Sequence, residues 1–376
     1  MLKKKILFVL YDRLERGGVQ NVIMSIVRTL KDKFTFDIVV FDSTPSFYDN
    51  EFESYGGKIY RFGKYDKHST FHARADYYLR PGYIYRKVKY ILNKEGPYQA
   101  IHCHNEMESG LCVLAGKQMN VPVRISHMHT SYGNNGNFVY RTYIKMYDRL
   151  IHKCATHIVG CSSMAIEKTL GDSEGIVINN GIDLCLYTNM SNGPDKKGGE
   201  ECMNLLQVGI FSPNKNQLFS LKVLESLLEK DVNAKLTLLG RCSTSELSGY
   251  FSLIKKYIRE NQIDNYIQFV PGDSSVPDEM KRNTFLLFPS LREGFGIVPI
   301  EAQASGLHCF VSSTVPRDID CGGCTFLSLE DGPEIWADKI IQKFRDTNGA
   351  LGNYNCSRFS NQKICMQYQK IYEGMS

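Results

Sequence analysis

The stretch KKILFVLYDRLERGGVQNVIMSIVRTLKDKFTFDIVVF, Lys4 to Phe41, decides the fold class. Lys4–Leu10 is a short apolar run entered through lysines, which reads as a buried strand. The turn-forming pair Gly17–Gly18 interrupts the chain. From there the apolar residues fall at Val19, Val22, Ile23, Ile26, Val27 and Leu30, the spacing of one helix face. Phe36–Phe41 is a second strand. Strand, glycine loop, helix and strand in that order open a parallel α/β sheet.

The same alternation runs outward from this start. Further strands are expected at Ala100–Cys103, Val123–Ser126, His157–Cys161 and Gly175–Ile178. Near Cys185–Glu201 the texture changes, and from Asn189 on almost nothing could be buried, so the chain reads there as a linker. The pattern then restarts, with strands at Asn204–Val208, Lys235–Leu239, Ile267–Val270, Phe285–Phe288 and His308–Ser312. Helices are expected between them at Leu218–Leu228, Glu246–Glu260, Val276–Lys281 and Val298–Ala304. The expected organisation is a Rossmann-like domain over 1–188, a linker over 189–202 and a second Rossmann-like domain over 203–359. A last helix falls within 360–376. Two doubly wound domains of this kind would face one another across a ligand-binding cleft.

Composition agrees with a two-domain globular chain. The 376 residues and 42.8 kDa exceed what one core usually serves. With 43% apolar and 23% charged residues, disordered, collagen-like and coiled-coil chains are excluded. The apolar run Ile6–Tyr11 is too short to cross a bilayer, and Asp12, Arg13, Glu15 and Arg16 stand where a signal peptide would stay apolar. Twelve cysteines in so long a chain are expected to be reduced thiols of a cytoplasmic protein.

The most informative string is Pro289-Ser-Leu-Arg-Glu293-Gly-Phe-Gly-Ile-Val-Pro-Ile-Glu301-Ala302. It follows a strand and opens a helix, so Glu293 falls in the loop and Glu301 in the first or second helical turn. Gly294 and Gly296 let backbone amides approach a ligand closely, and a helix N-terminus attracts an anion without a magnesium ion. Two carboxylates beside an anion site suit a ligand carrying both phosphate and hydroxyl groups. Other constellations are weaker. Cys321-Gly-Gly-Cys324 has no second pair beside it in sequence and reads as a turn with two thiols. His102-Cys-His104 alone does not make a metal site. Asp318-Ile-Asp320 lies too late in the chain to be a metal-binding aspartate pair. Gly17–Gly18 lacks the full spacing of a dinucleotide fingerprint, which argues against an oxidoreductase.

Taken together, these strings resemble the retaining glycosyltransferases of family 4, which have the two-domain GT-B fold. The Glu293–Glu301 string is similar to that family's glutamate–seven residues–glutamate motif, and especially to bacterial enzymes of capsule, exopolysaccharide and lipopolysaccharide synthesis. Gly17-Gly18-Val19-Gln20 resembles the family's first loop, and Arg124-Ile-Ser-His-Met-His129-Thr-Ser131 its histidine-bearing strand end. Val177-Ile-Asn-Asn-Gly181-Ile-Asp183 resembles the turn into the interdomain linker. Leu205-Leu-Gln-Val-Gly209-Ile-Phe-Ser-Pro213-Asn-Lys215-Asn216 resembles the start of the second domain.

The resemblance implies a set of roles. Glu301 would hold the ribose hydroxyls of a nucleotide. Glu293, with the backbone of Gly294, Phe295, Gly296 and Ile297, would contact the transferred sugar and the phosphates. Lys215 would stabilise the departing diphosphate, His129 would lie by the sugar, and Gly17 and Gly18 would lie against the donor phosphates and the acceptor. His129, Lys215 and Glu293 are thus the candidate catalytic groups. The terminal helix would cross back onto the first domain. One position departs from the family: Ile210 stands where an arginine commonly follows the glycine, with Arg241 or Arg292 as candidate substitutes.

The expected activity is metal-independent and cofactor-free transfer of a hexose or N-acetylhexosamine with retention. The donor would be a nucleotide sugar, most readily UDP-linked, and the acceptor a saccharide on a polyprenyl diphosphate. Alternatives are a degenerate GT-B accessory subunit, or an epimerase or hydrolase of sugar nucleotides. Charge bears on location. Residues 1–190 hold 25 Lys and Arg against 18 Asp and Glu, whereas residues 191–376 hold 20 against 22. Between Lys58 and Lys94, ten basic residues and seven tyrosines face only Asp66 and Asp76. Such a stretch suits an anionic membrane surface better than nucleic acid in an enzyme of this kind, placing it on the inner face of the plasma membrane. A solvated helix face with tyrosines packed on the core is the plainer reading of the same stretch.

Overall fold

A computed structural model describes residues 3–63, 73–130, 138–170, 174–188, 202–241 and 245–375. The chain divides into two compact units, Met1–Gly181 with Asn361–Ser376, and Ile182–Ser360.

The strands of the first unit are β1 (Lys4–Leu10), β2 (Phe34–Val40), β3 (Ile59–Arg61), β4 (Ala100–Cys103), β5 (Val123–Met128), β6 (His157–Gly160) and β7 (Ile176–Val177). All pair in parallel, in the order β3-β2-β1-β4-β5-β6-β7. Ile6, Leu7, Phe8 and Val9 are wholly buried, which is why β1 is continuously apolar rather than alternating. Ile6 and Phe8 join a core formed with Val22, Ile23, Ile26 and Val27 of the Gly18–Leu30 helix. Leu7 and Val9 face a second cluster with Ile84, Val88, Cys112 and Val113.

The second unit repeats the plan with β8 (Met203–Val208), β9 (Ala234–Gly240), β10 (Ile267–Pro271), β11 (Phe285–Phe288), β12 (His308–Ser312) and β13 (Cys324–Leu327). Their order is β10-β9-β8-β11-β12-β13, again all parallel. Each sheet therefore reverses its winding beside its first strand, between β1 and β4 and between β8 and β11. Crossovers leave those strands toward opposite faces, opening a crevice at their carboxyl ends.

Three features differ from the sequence reading or lie beyond it. Residues 182–188, given to the first domain by sequence, fall in the second unit. There the short Cys185–Thr188 helix packs on the Ile297–Ala304 helix, and Ile182 bridges Ser360. Of the expected linker, residues 189–201 lie outside the described residues. Strands β3 and β13 carry no periodic signal in three or four residues. The helices Ala73–Glu95 and Gly332–Thr347 also escape, the former because Pro81 and Gly82 interrupt it and the latter because it buries only Trp336, Ala337 and Ile340. The Asn361–Glu373 helix packs on the Gly18–Leu30 helix within the first unit.

Cys321 and Cys324 flank a tight turn. Gln303 Oε1 accepts from the N–H groups of Cys321 (2.7 Å) and Gly323 (3.1 Å), while Asp320 Oδ1 accepts from Gly322 (2.8 Å) and Cys324 (3.1 Å). The eleven described cysteines are free thiols. In the basic, tyrosine-rich stretch, Tyr60, Tyr83 and Tyr85 pack against the core. Arg61 pairs with Asp49, Arg80 with Glu108, and Lys58 with Glu95 at 3.4 Å. Lys87 and Lys89 are half-buried, Lys87 over the Phe62 ring and Lys89 donating to Gln118 Oε1 at 2.7 Å. Tyr65, Lys64 and Lys67 lie outside the described residues. Much of this stretch therefore serves the fold. No helix among the described residues is long and apolar enough to cross a membrane.

Candidate functional site

In the second unit the loops after β8 and β11 meet at the switch point. Pro213–Lys215 forms a single 3₁₀ turn capped by Ser212, and Asn216 takes a left-handed conformation at φ 55° before the Gln217–Leu228 helix begins. Two hydrogen bonds, one backbone and one from a side chain, join this turn to the other loop: Leu291 N–H donates to Asn214 O at 2.8 Å, and Asn214 Nδ2 donates to Arg292 O at 2.9 Å. Gln207 Nε2 holds Lys215 O from below at 2.7 Å. Lys215 Nζ consequently stands 2.6 Å from Glu293 Oε1 and 5.3 Å from the Phe288 ring centroid. Both charges are mostly shielded, at 22% and 12% exposure, so their pairing offsets part of the cost of taking them out of water.

Gly296 supplies the N-cap of the Ile297–Ala304 helix at φ 103°, ψ 80°, where a side chain would be strained. Among the described residues no side chain caps this helix, and its first turn carries no acidic residue. A helix end left open in this way offers backbone N–H groups and a positive dipole end to an anion. Phe295 is buried with its ring edge-on to Phe359 at 5.9 Å, so its backbone and not its ring is available. Glu301 lies in the second turn. Burial raises its pKa to about 7, opposed by the hydroxyl of Tyr187, which donates to Oε1 at 2.7 Å. A carboxyl so placed costs little to hand over to ligand hydroxyls, since Tyr187 is its one partner among the described residues.

In the first unit, Gly17 caps the Gly18–Leu30 helix in an extended conformation, again without a side-chain cap or an acidic first turn. A Cβ at Gly18 would meet nothing within 4 Å, so that side of the turn is open. His129 follows β5. Its Nε2 is 2.7 Å from His104 Nδ1, and its backbone N–H donates to Glu106 Oε1 at 3.0 Å. Burial lowers its pKa to about 3, so the ring is neutral at physiological pH. It suits hydrogen bonding to a sugar rather than charge stabilisation.

His102 on β4 and His104 just past its end stand beside His127 on β5 and His129 just past its end, because i and i+2 residues of an extended chain share a face. The sequence shows both H-x-H pairs, but only the strand pairing makes them a four-ring patch. His102 Nε2 is 3.1 Å from His127 Nδ1, and His102 Nδ1 is 2.8 Å from Tyr372 Oη. Burial pushes the His102, His104 and His127 pKa values well below the usual range. Ligand atoms of these three lie within 4.8 Å of one another. A divalent ion there would displace the ring–ring and ring–tyrosine bonds and carry its charge among Phe8, Tyr368 and Tyr372. The patch is better suited to packing under the terminal helix and to fixing His129 through His104.

The candidates thus fall into two sets. Lys215, Glu293, Gly294, Gly296, Ile297 and Glu301 gather in the second unit, and Gly17, Gly18 and His129 stand at strand ends of the first. Sequence reasoning missed Asn214 and Tyr187, whose contacts span 78 and 114 residues and leave no local pattern. Ile210 is 39% exposed just past β8. Arg241 accepts the Phe211 N–H through its carbonyl, and Arg292 accepts from Asn214, so the backbones of both candidate substitutes adjoin this loop.

Comparison with known proteins follows the same division. The family model described as Glycosyltransferase Family 4 matches residues 16–185, and that described as Glycosyl transferases group 1 matches residues 196–319. The putative glycosyltransferase EpsF of Bacillus subtilis is 29% identical over 354 residues, covering 90% of this chain and 88% of EpsF. The Escherichia coli UDP-Gal:alpha-D-GlcNAc-diphosphoundecaprenol alpha-1,3-galactosyltransferase is 24% identical over 242 residues, 60% of each chain. Among solved structures, Anabaena HepE in complex with UDP superimposes with a TM-score of 0.77 at 16% identity, covering 98% of this chain and all of HepE.

Proposed function

The chain is a family 4 glycosyltransferase of the GT-B fold, and we propose that it transfers a hexose or N-acetylhexosamine from a UDP-linked donor to a saccharide carried on a polyprenyl diphosphate. The observation that carries this reading is the Lys215–Glu293 pair beside the uncapped Ile297–Ala304 helix, with Glu301 one turn in. Lys215 and the helix N-terminus would take the charge that builds on the diphosphate as the glycosidic bond breaks. Glu293 would release Lys215 to the phosphate and turn to the sugar hydroxyls, and Glu301 would bind the ribose. The neutral His129 would orient the sugar.

Retention would follow same-face attack, the leaving phosphate taking the acceptor proton, so no protein group needs to form a covalent intermediate. Charge stabilisation by lysine and backbone dipoles gives the residues present a way to work without a metal. The UDP-bound neighbour HepE and the undecaprenol-linked acceptor of the Escherichia coli relative support the choice of donor and acceptor. Attachment to the inner face of the plasma membrane would use the remaining basic surface of the Ala73–Glu95 helix. Loss of liposome binding in a Lys87→Glu, Lys89→Glu double variant tests that attachment.

The direct test is thermal unfolding against UDP, GDP, ADP and CMP, with and without EDTA, for the wild type and Glu301→Ala. A ligand at 100 times its Kd adds about 2.7 kcal/mol and moves the midpoint by a few degrees at this size. A UDP-specific shift that survives EDTA and disappears in Glu301→Ala is expected. A shift that requires a divalent cation refutes metal independence, and a response to GDP alone refutes the donor.

A further inference from the structure

The strand ends of the first unit hold buried polar groups that donor chemistry leaves unused. Asn105 and Glu106 directly follow the β4 strand end. Asn105 is 7% exposed, and its Oδ1 accepts the Tyr11 N–H at 2.7 Å. Because an amide N–H requires an acceptor, this bond fixes which end of the carboxamide is which. Nδ2 is left shielded from solvent, with no partner among the described residues. Glu106 is its complement. One oxygen, Oε1, accepts the His129 N–H, while Oε2 is shielded and has no partner among the described residues. The Glu106 backbone is left-handed at φ 49°, a conformation a glutamate seldom adopts and one that persists only where something repays it. Thr130 lies close enough to the Glu106 carboxyl for its hydroxyl and N–H to favour the ionised form, and His104 Nε2, from the neighbouring strand end, is shielded without a partner among the described residues. Packing alone does not maintain so many unmet polar atoms together.

We propose that Asn105 and Glu106 form the hydroxyl-recognition pair for the acceptor saccharide, Nδ2 donating to one sugar oxygen and Oε2 accepting from a neighbouring hydroxyl. The assignment rests on the function proposed above and deepens it. A sugar hydroxyl both donates and accepts, and vicinal hydroxyls place the two functions side by side. A phosphate meets only half of this pair, since its oxygens accept from Nδ2 but it offers no proton to Oε2 and is repelled by a carboxylate. Burial raises the Glu106 pKa to about 7, and both of its protonation states bond a hydroxyl. The bond from His129 N–H to Oε1 sets the carboxyl beside the histidine expected to orient the transferred sugar. These residues select and position the acceptor.

The test compares wild type, Asn105→Ala, Glu106→Gln and Glu106→Asn, the last because asparagine tolerates a positive φ. Calorimetry would measure binding of short-chain prenyl-diphosphate N-acetylglucosamine, glucose and galactose in detergent, with the UDP thermal shift as the control for folding and the donor unit. The expected result is an unchanged UDP shift with probe affinity reduced about tenfold in Asn105→Ala and Glu106→Asn, and less in Glu106→Gln, which keeps an acceptor oxygen. Variants that bind every probe as the wild type does would overturn the pair's role. So would loss of the UDP shift in all three variants, which would assign the residues to the fold. A wild type stabilised by UDP that binds none of the probes overturns the recognition pair and leaves the donor reading standing. A wild type stabilised by no nucleotide, yet binding a probe through Asn105 and Glu106, overturns the transferase donor and leaves the pair.

Discussion

The two units share one strand order and put opposite chemistry at the same place in it. After the first strand and its neighbour across the switch point, the second unit presents a lysine, two carboxylates and an uncapped helix. The first presents neutral imidazoles, a carboxamide and a carboxyl with a raised pKa. On the proposed function, one set would handle phosphate charge and the other hydroxyl groups. The fold provides a crevice twice, and the loop residues after the strands decide what each crevice can hold.

The largest effect that could break this contrast is at Lys215. Lys215→Ala is expected to lower kcat about 10²- to 10³-fold, the cost of losing one donor at a developing anion, with Lys215→Arg recovering part of it. Steady-state transfer assays decide this, and a Lys215→Ala enzyme within tenfold of wild type would mean the second unit is not the anion site. Acid should then separate the units. His102, His104, His127 and His129 have folded-state pKa values below the unfolded one near 6.5, so the unfolded chain takes up protons first and stability falls as pH drops below about 6.5. Glu106 and Glu108 in the first unit act in the reverse sense, being raised, and gain stability on acidification. Four imidazoles against two carboxyls leave the first unit losing stability on balance between pH 7.5 and 5.5. In the second unit, Glu301 (raised) and His308 (lowered to about 4) oppose one another singly. Hydrogen exchange should therefore show β4 and β5 losing protection at pH 5.5 before β8 and β11.

Smaller effects sharpen the comparison. Ile210→Arg places a second cation at the end of β8 and should tighten UDP about tenfold, as a charge-assisted bond would. An unchanged Kd by calorimetry would indicate that Arg241 or Arg292 already fills that role. Tyr187→Phe removes the bond that favours ionised Glu301, so the carboxyl should titrate higher still, at a stability cost of about 1 kcal/mol. An unfolding midpoint and a UDP-binding pH profile identical to wild type would sink the coupling of Tyr187 to Glu301.

The sequence made legible whatever is local and continuous. Ala100–Cys103, Phe285–Phe288 and His308–Ser312 are strands over the residues expected, because strands buried on both faces are unbroken apolar runs. The Glu293–Glu301 string was readable since strand, loop and helix adjoin in the chain. Tyr187, Asn214 and the double histidine patch were not, because their partners are brought near only by sheet pairing and loop packing. Asn105 and Glu106 carry no pattern at all in sequence. Their meaning comes from unmet atoms and one positive φ, which are properties of coordinates.

The Asn361–Glu373 helix has a consequence for biosynthesis. It lays Tyr368 and Tyr372 over His102 and His127, while the whole second unit is spliced between it and the rest of its own unit. A nascent chain thus finishes its second unit before its first. Until residue 373 has left the ribosome, the face of β4 and β5 that bears the histidines is uncovered, and the Gly18–Leu30 helix lacks its partner. An arrested or clipped chain lacking those thirteen residues would display the exposed apolar surface that chaperones and proteases recognise. The position of one helix in the chain order therefore makes synthesis of residues 361–373 a condition for a closed first unit.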